Sequence, residues 1–527
     1  MTDTPKQPGQ LDVESFESVG GEAHALPEPI ERKQQPMLDE RGRLLTGRLA
    51  GLSMNRAIWV LSWPILIESY LNSFVGLVDT VLAAGISSDV TDAIGGSSYI
   101  MWFLSIIGLS IGIGATALIS RAVGGGKQAV ANAALGQTLL LSTALGVIAG
   151  IGVYLFAPTL ARIMNLNEPA TEALIIYMRV VSFATPLNAI LLAGLACCRA
   201  AGDAYRPLWI MAFVNIVNVI VSFALAGVDF AITEKVNGTF TRTVLIPDVL
   251  NADLGIVGIA LGTVVAWTLG ALIVLVWLTT GASGITLKRR RLAPHWHTMR
   301  RLVRVALPGF LESVGMWFGN FLIILIVGMM QALGPGYLGT HIVIIRIEAF
   351  SFLPGFAMGM AASTIMGQYL GAGSTRLAST GGLRCTGVGV AIMGSLGLMF
   401  ILFPEHIIGF MSQQDVHMER GAPLLRAAGF FQIPFAIGMV LRTGMRGSGD
   451  ARVAAIITWS STYLVRLPLA WYLSGVDFVW GDTVLVPNPG PDWGLYGLWL
   501  GLLWELCVRC VLFVARFVQG GWKHVKV

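Results

Sequence analysis

The sequence has little charge and few cysteines, and each shortage argues against a class of protein. Only 12% of its 527 residues are charged, against about 25% in an average soluble domain. Its five cysteines cannot all pair, which argues against the disulfide framework of a small secreted protein. Because 55% of the residues are hydrophobic and the mean hydropathy is +0.71, the chain is predicted to be an all-α integral membrane protein.

Motifs for catalysis and nucleotide binding are also missing. The stretch GGGKQ at 124–128 does not complete the GxxxxGK[ST] phosphate loop, and the sequence has neither HExxH nor a nucleophile elbow. We therefore expect no enzymatic activity and no cofactor, and we expect no nucleic-acid partner. Active transport by this chain would have to use an ion gradient.

Twelve apolar segments follow a polar N-terminal region that lacks the apolar core of a signal peptide. A hydrocarbon core of about 30 Å requires about 20 residues of helix. Transmembrane helices are predicted at 57–84, 93–119, 134–158, 171–196, 207–228, 255–278, 302–330, 340–368, 383–404, 421–444, 451–474 and 494–519. The predicted organisation is a disordered cytoplasmic tail (1–50), a first lobe (51–285), a cytoplasmic linker (286–300), a second lobe (301–520) and a cytoplasmic C-terminal tail (521–527).

Basic residues are distributed unevenly among the predicted loops. With the N-terminus in the cytoplasm, most loop arginines and lysines, including the run at 288–291, fall on the cytoplasmic side. This asymmetry is the one that the positive-inside rule describes. Both termini are therefore predicted to be cytoplasmic, in a bacterial inner membrane.

The two sets of six segments resemble each other. WPILIES (63–69) recurs as LPGFLES (307–313), and CCRAAGDAYRP (197–207) is matched by RTGMRGSGDAR (442–452). Since each copy has an even number of spans, both enter the membrane from the same side, and a pseudo-two-fold axis along the membrane normal relates the lobes. A cleft between the lobes is expected to hold the substrate.

The first predicted helix carries two acidic residues. Eleven residues separate Glu68 from Asp79, so both lie within about 20° of one helix face, together with Asn72. A carboxylate at the centre of a membrane helix costs roughly 2.5–3.5 kcal/mol and usually faces a protein interior or a wet cavity. Asp79 is predicted to be functional, and Glu68 to be either functional or a hydrogen-bonded packing residue. Pro64 removes a backbone hydrogen bond in the same helix and is a candidate hinge.

Other polar residues extend this set of candidates. Asn215 and Asn218 in the fifth segment could hold a sodium ion together with Asp79, or could serve polar helix packing. In the second lobe, Glu312 follows Pro308, a second candidate hinge, by the four residues that also separate Glu68 from Pro64.

Two further features complete the candidates in the second lobe. Glu505 and Arg509 are spaced to neutralise each other, and Arg466 is expected to extend towards a membrane interface. Thioethers and aromatic rings repack around varied ligands. The predicted substrate-cleft lining is Met316, Phe318, Phe352, Phe356 and Met358.

Longer motifs carry a family resemblance. WPILIESYLNSFVGLVDTVLAAG, RIEAFSFLPGFAMGMAASTIMGQYLGAG and RTGMRGSGDAR together resemble the multidrug and toxic compound extrusion family over about residues 50–520. The resemblance implies a two-lobed, twelve-helix antiporter that exports amphiphilic, often cationic compounds in exchange for protons or sodium ions. It also implies that Asp79, in VDT, takes part in cation coupling and that Pro64 lies in a helix that bends. Ser222 stands where some members have an acid, which leaves the coupling ion open.

The expected function is therefore a secondary antiporter that alternates between inward-open and outward-open states. Asp79 and the polar residues around it are expected to bind the coupling ion. Burial favours the protonated carboxyl and a nearby cation favours the charged form, so a proton and a cationic substrate would compete for one site. The expected partners are amphiphilic or cationic small molecules and membrane lipids, and the chain is expected to be monomeric. The alternatives are a flippase for lipid-linked sugars, which would favour a cationic cleft, and a membrane receptor or scaffold without transport activity.

Overall fold

The structure is a computed structural model that describes residues 37–164, 166–236, 239–246, 252–330, 336–412, 414–480 and 483–525. The helices of the first half are α1 (Met54–Ile86), α2 (Ser88–Gly124), α3 (Gln128–Ile163), α4 (Glu168–Ser182), α5 (Thr185–Ala200), α6 (Tyr205–Ala226) and α7 (Ile256–Thr280). Those of the second half are α8 (Trp296–Met329), α9 (Tyr337–Gly371), α10 (Thr375–Leu402), α11 (Pro404–Met411), α12 (Asp415–Gly447), α13 (Ala451–Ser461), α14 (Leu467–Ser474) and α15 (Gly494–Gln519).

The predicted twelve-helix, two-lobed architecture is confirmed. In the described part of the chain, 11 helices are long and apolar enough to cross a membrane, and α13 and α14 count as one of them. The twelfth span is the pair α4 and α5, which meet at a bend of 57°. The sequence predicts a single helix at 171–196, but the ring of Pro186 is incompatible with a helical carbonyl four residues earlier, at Ser182.

The structure is nearly all-helical rather than strictly all-α. Strands β1 (Phe230–Val236) and β2 (Thr239–Ile246) form an antiparallel hairpin after α6. Strands β3 (Phe478–Trp480) and β4 (Thr483–Val486) form a second antiparallel hairpin at the equivalent position after α14. Both hairpins have an irregular register at their first residue pair, so the internal duplication extends to these loops. We call this end of the bundle the hairpin face.

The opposite end, which we call the terminal face, holds residues 37–53, the α8 approach at 281–295 and residues 520–525. Here α2 and α9 pack with their backbones in contact, because a Cβ at Gly124 would overlap the carbonyl of Gln368. Gln368 Nε2 donates to the carbonyl of Ala200 at 3.1 Å. One hydrophobic cluster joins Leu61 and Ile65 of α1 to Ile365 of α9, so the lobes are closed against each other at this face.

The predicted disorder of the N-terminal tail does not extend to residues 37–50, whereas residues 1–36 lie outside the described part. Leu44 and Leu49 are buried, 2% and 1% exposed. Thr46 Oγ1 donates to the carbonyl of Val123 at 2.8 Å, and Arg48 forms an ion pair with Asp203 at 3.3 Å. This segment therefore packs on the terminal face instead of forming a free tail.

The predicted linker and C-terminal tail are also packed where they are described. Gln137 Nε2 donates to the carbonyls of Arg291 and Ala293, which attaches the segment before α8 to α3. Trp522 is fully buried and stacks on Phe517 with ring centroids 5.2 Å apart. The connection is thus held against the first lobe, and residues 521–525 are not free.

Towards the hairpin face the lobes separate. Between α1 and α9, the Tyr70 hydroxyl donates to the carbonyl of Phe350 at 3.5 Å, and between α2 and α8 the rings of Phe103 and Trp317 lie 5.5 Å apart. Beyond that level, Phe74 and Leu77 continue the same face of α1 and are each 59% exposed. Ile342, on the corresponding face of α9, is 36% exposed. The cleft between the lobes therefore opens towards the hairpin face.

Candidate functional site

Asp79 lies in the hairpin-side half of α1, half-buried within the first lobe. Its Oδ1 atom is buried and has no hydrogen-bond partner among the described residues. Buried polar atoms in folded proteins are nearly always paired, so an unpaired one requires an explanation. An acceptor oxygen in this position can receive a proton or a cation.

Three residues from other helices form a hydrogen-bonded group that reaches Asp79 through Tyr177. Asn218 of α6 donates from Nδ2 to Thr263 Oγ1 of α7 at 3.2 Å. Tyr177 of α4 hydrogen-bonds with the same threonine and lies within electrostatic reach of Asp79. The Oδ1 atom of Asn218 is also buried without a partner among the described residues. We call Asp79, Tyr177, Asn218 and Thr263 the first-lobe polar cluster.

Sequence reasoning identified Asp79 and Asn218 but missed Tyr177 and Thr263. Thr263 is a single polar side chain in the apolar stretch ALGTVVAW, and Tyr177 shares the apolar stretch IIYMRVV with one other polar residue, Arg179. That isolation was the available signal. It is weak, because a lone hydroxyl in a membrane helix can bond its own backbone, as Thr263 also does to the carbonyl of Ile259 at 3.5 Å.

The structure also brings Asn72 and Asn215 together. Asn215 Nδ2 donates to Asn72 Oδ1 at 3.1 Å, which links α6 to α1. Asn72 precedes Asp79 by seven residues, about 10 Å along the helix. The hydrogen bond of Asn215 thus lies closer to the terminal face than Asp79, the carboxylate with which Asn215 is predicted to hold a sodium ion.

Glu68 has a different environment from Asp79. Both of its carboxylate oxygens lie 2.8 Å from Nη1 of Arg199, and the two side chains are 9% and 13% exposed. Arg199 belongs to α5, 131 residues further along the chain, so sequence spacing could not reveal the pair. The ion pair supplies Glu68 with a structural role, that of joining α1 to α5.

Glu312 is fully buried among polar partners in the second lobe. Thr458 Oγ1 donates to its Oε1 at 2.9 Å. Arg442 Nη1 lies 3.7 Å and Arg446 Nε 3.4 Å from its carboxylate oxygens. The two arginines thus compensate its charge at ion-pair distance, without the geometry of a direct hydrogen bond.

A second charged group lies deeper in the same lobe. Arg509 and Glu505 form the predicted ion pair, at 2.6 Å, and Arg509 also donates to Ser461 and Thr462. Arg466 lies within electrostatic reach of Glu505 and Glu348. The expectation that Arg466 reaches an interface is wrong, because these two acids provide a counter-charge inside the lobe.

The predicted cleft residues are distributed over different environments. Phe318 is 46% exposed and stacks on Phe321, whereas Phe352 stacks between Phe356 and Phe435 of α12. Met316 contacts Arg442 through its sulfur at 3.1 Å. Met358 is 3% exposed and packs in the hydrophobic cluster that joins the lobes, so this conformation does not present it to the cleft.

The two candidate hinges are prolines inside long helices. Pro64 and Pro308 each lie inside a continuous helix, α1 and α8, so their hinge role stays a prediction. Among the described residues there is no group of three or more His, Cys, Asp or Glu side chains able to hold a metal. A sodium ion would depend on carboxylate, amide and hydroxyl oxygens such as those of the first-lobe polar cluster.

Both lobes of the chain are similar in sequence to known proteins. The MatE family model matches residues 64–224 and 308–472, one stretch in each lobe. The chain is 24% identical over 469 residues to the probable multidrug resistance protein NorM of Thermotoga maritima, covering 88% of this chain and 92% of that protein. It is 21% identical over 468 residues to the multidrug resistance protein MdtK of Yersinia pseudotuberculosis, covering 88% and 94%.

A solved structure shows that the similarity extends to the fold. A MOP superfamily transporter from Pyrococcus furiosus aligns with a TM-score of 0.77 at 19% identity, over 90% of this chain and 97% of that one. The similarity in sequence and in fold thus covers both lobes and nearly the whole length of the relatives.

Proposed function

Because the chain belongs to the MatE family of efflux transporters, we propose that it is a secondary antiporter. It exports amphiphilic, mainly cationic compounds in exchange for protons or sodium ions. The printed names of its NorM and MdtK relatives, both multidrug resistance proteins, support a drug-like substrate. The observation that carries the coupling assignment is that the buried Oδ1 of Asp79 has no hydrogen-bond partner and that Asp79, unlike Glu68, Glu312 and Glu505, forms no ion pair among the described residues.

The exchange follows from the chemistry of this cluster. Asp79 Oδ1 and Asn218 Oδ1 are two buried acceptor oxygens without donors among the described residues. A proton on Asp79 or a sodium ion between these oxygens satisfies them. A cationic compound that approaches the carboxylate favours release of that ion, since both neutralise the same charge.

Alternating access is supported by the arrangement of the lobes. The α2–α9 contact at Gly124 closes the terminal face, and the cleft opens at the hairpin face, where Phe74 is exposed. With the terminal face in the cytoplasm of a bacterial cell, as the positive-inside rule favours, this state is outward-open. Pro64 and Pro308 are the proposed bending points for the opposite state.

The alternatives have less support. A flippase for lipid-linked sugars requires positive charge in the cleft, whereas Arg442, Arg446 and Arg509 are compensated by Glu312 and Glu505. A receptor or scaffold without transport activity leaves the unpaired carboxylate of Asp79 without a use.

Asp79→Asn tests the proposal. The amide keeps the shape of the side chain but cannot change charge, so we expect ion-driven uptake into inverted vesicles to be abolished while equilibrium binding of the same fluorescent cation persists. Proton and sodium gradients are imposed separately to identify the coupling ion. The control is Glu405→Gln, which removes an acid from an exposed ion pair with Arg426. Coupled transport at the normal rate by Asp79→Asn, normalised to folded protein, would refute the assignment.

The proposed orientation has an independent test. In a variant without the five native cysteines, single cysteines at Lys288 and Asp415 lie at the terminal and hairpin faces. We expect a membrane-impermeant thiol reagent to label Asp415→Cys from outside intact cells and Lys288→Cys only in inverted vesicles. Labelling of both from one side would contradict the orientation.

A further inference from the structure

A cavity of about 1070 Å³ lies at the terminal side of the second lobe, between α8 and α13, with Leu141 of α3 on its far wall. This volume is at the upper limit of the roughly 300–1,000 Å³ of a typical small-molecule site. The cavity lies away from the first-lobe polar cluster, and none of the proposed coupling residues of the first lobe lines it.

The lining has a consistent polarity on both helices. On α8, Arg300, Arg304, Leu307 and Leu311 are spaced by four, three and four residues and share one face. Both helices start at the terminal face, so the arginines lie near the membrane surface and the apolar side chains lie deeper. The distance from Arg304 to Leu311 along the axis is about 10 Å.

The second wall repeats this order. On α13, Arg452 stands nearest the terminal face, and Ile456 and Trp459 follow it at intervals of four and three residues. Trp459 Nε1 donates to the carbonyl of Leu311 at 3.1 Å, which closes the deep end of the groove. Ile456 is 63% and Leu307 51% exposed, so the apolar wall is open to the hydrocarbon side.

Among the described residues, no carboxylate compensates the three arginines of this groove. Arg300, Arg304 and Arg452 are exposed, and in the described ranges no acidic side chain forms an ion pair with any of them. This contrasts with the buried arginines of the same lobe, which have carboxylate partners. The mouth of the groove therefore has a positive charge that an anion from outside the chain can neutralise.

The internal duplication provides a comparison for this groove. Aligning 63–69 with 307–313 pairs Trp63 with Leu307, and aligning the GDA triplet at 202–204 with the GDA triplet at 449–451 pairs Tyr205 with Arg452. In the first lobe, the Trp63 and Tyr205 rings lie 5.6 Å apart, and Trp209 continues the cluster at 6.2 Å. Aromatic rings thus occupy the first-lobe position, and the second lobe has an open, basic groove instead.

We propose that this groove binds one anionic phospholipid of the leaflet at the terminal face. Arg300, Arg304 and Arg452 hold the phosphate of the headgroup, and the acyl chains lie along the apolar wall formed by Leu307, Leu311 and Trp459. The charge of the mouth, the apolar depth and the open lateral side fit a lipid and not a soluble anion. Basic residues near a membrane surface each contribute about 1 kcal/mol to the binding of anionic lipid.

The test uses the full-length protein in nanodiscs and measures bromine quenching of Trp459 fluorescence, taken as the difference from a Trp459→Phe variant. The probes are phosphatidylglycerol and phosphatidylcholine with brominated acyl chains. We expect phosphatidylglycerol to quench at several-fold lower mole fraction than phosphatidylcholine. Each of Arg300→Gln, Arg304→Gln and Arg452→Gln should weaken this preference about five-fold, the equivalent of about 1 kcal/mol.

Arg56→Gln is the matched control, since Arg56 is the first-lobe counterpart of Arg300 at the offset of 244 residues that relates Pro64 to Pro308; it should leave quenching unchanged. Leu307→Phe partly fills the groove without changing charge and should reduce quenching by both lipids. Equal quenching by the two lipids, or an equal loss in Arg56→Gln, would overturn the proposal in favour of ordinary annular lipid. Displacement of the lipid by inorganic phosphate, at constant ionic strength, would overturn it in favour of a free-anion site.

Discussion

The two lobes share one architecture and use their buried acids differently. In the first lobe, Asp79 has a buried carboxylate oxygen without a hydrogen-bond partner, and Asp79 forms no ion pair among the described residues. In the second, Glu312 lies between two arginines and a threonine, and Glu505 is paired with Arg509, although one oxygen of each acid also lacks a hydrogen bond. In this conformation the charge of an ion-paired buried carboxylate is compensated, whereas an unpaired one needs an exchangeable ion. The asymmetry therefore separates acids that hold the fold from the acid proposed to carry the transport cycle.

The same comparison applies within the first helix. Glu68 and Asp79 share a face of α1, yet Glu68 has Arg199 as its counter-ion and Asp79 has none in the described part of the chain. Substitutions of Glu312, Glu505, Glu68 and Asp79 should therefore differ in sign and size, and we order them by the expected loss of stability.

Glu312→Gln is expected to have the largest effect. It leaves Arg442 and Arg446 buried without their shared counter-ion, and breaking a buried ion pair by removing one partner costs about 3–5 kcal/mol. The measurement is the free energy of unfolding in a mixed-detergent titration. A loss below about 1 kcal/mol would show that the two arginines are compensated elsewhere, and the contrast between the lobes would lose its basis.

Glu505→Gln should be destabilising for the same reason, and a double variant sharpens the test. Removing Glu505 leaves Arg509 without its 2.6 Å partner, whereas Glu505→Gln combined with Arg509→Met removes both charges. We expect the double variant to be more stable than either single variant in the same titration, and to retain transport. A folded but inactive double variant would instead assign this pair a role in the cycle.

Glu68→Gln should cost less, about 1–3 kcal/mol, the range for leaving a buried polar group unsatisfied. Removal of Glu68 leaves one arginine, Arg199, without its counter-charge, whereas removal of Glu312 leaves two. Unfolding titrations of Glu68→Gln and Arg199→Gln, alone and combined, measure the coupling energy of the pair. Additive effects would show that the two side chains do not stabilise each other.

Asp79→Asn should have the smallest effect on stability, with no loss or a small gain, because it removes a buried charge that has no partner to strand. The exposed pair of Glu405 with Arg426 provides the reference, since Glu405→Gln should cost at most about 1 kcal/mol. A destabilisation of Asp79→Asn as large as that of Glu312→Gln would mean that Asp79 is a structural residue, and the division between the lobes would then be wrong.

Much of the fold could be predicted from residue patterns. The lengths of the apolar segments gave twelve spans, and the repeated segments around Pro64 and Pro308 gave two lobes. The pattern did not give the bend between α4 and α5 or the two hairpins. A bend of 57° depends on one proline next to a local turn, and hydropathy averaged over a span cannot resolve it. The strings TVLIP at 243–247 and TVLVP at 483–487 also indicate duplication, but they do not specify strand pairing.

The residues of the candidate site also fall into those that the sequence could identify and those that it could not. Asp79 and Asn218 could be identified from the sequence because a polar side chain in an apolar membrane helix is costly to insert, and such residues are therefore rare and commonly functional. Tyr177 and Thr263 could not be connected to them, nor Arg199 to Glu68, because these residues come from helices that are distant in sequence and meet only after packing. The burial of Arg466 was mispredicted because its position near a span end suggested an interface, whereas its counter-charges come from α9 and α15.

The membrane location, the number of spans and the duplication could be predicted from residue composition and from periodicity along the chain. The pairing of the acids could be read only from the folded chain, because an ion pair such as that of Glu68 with Arg199 requires two side chains from different helices to meet at 2.8 Å. The same holds for the groove at Arg300 and Arg452, whose charges become one site only because α8 packs beside α13. Electrostatic and hydrogen-bonding energies act over a few ångströms in space, and sequence separation does not report that distance.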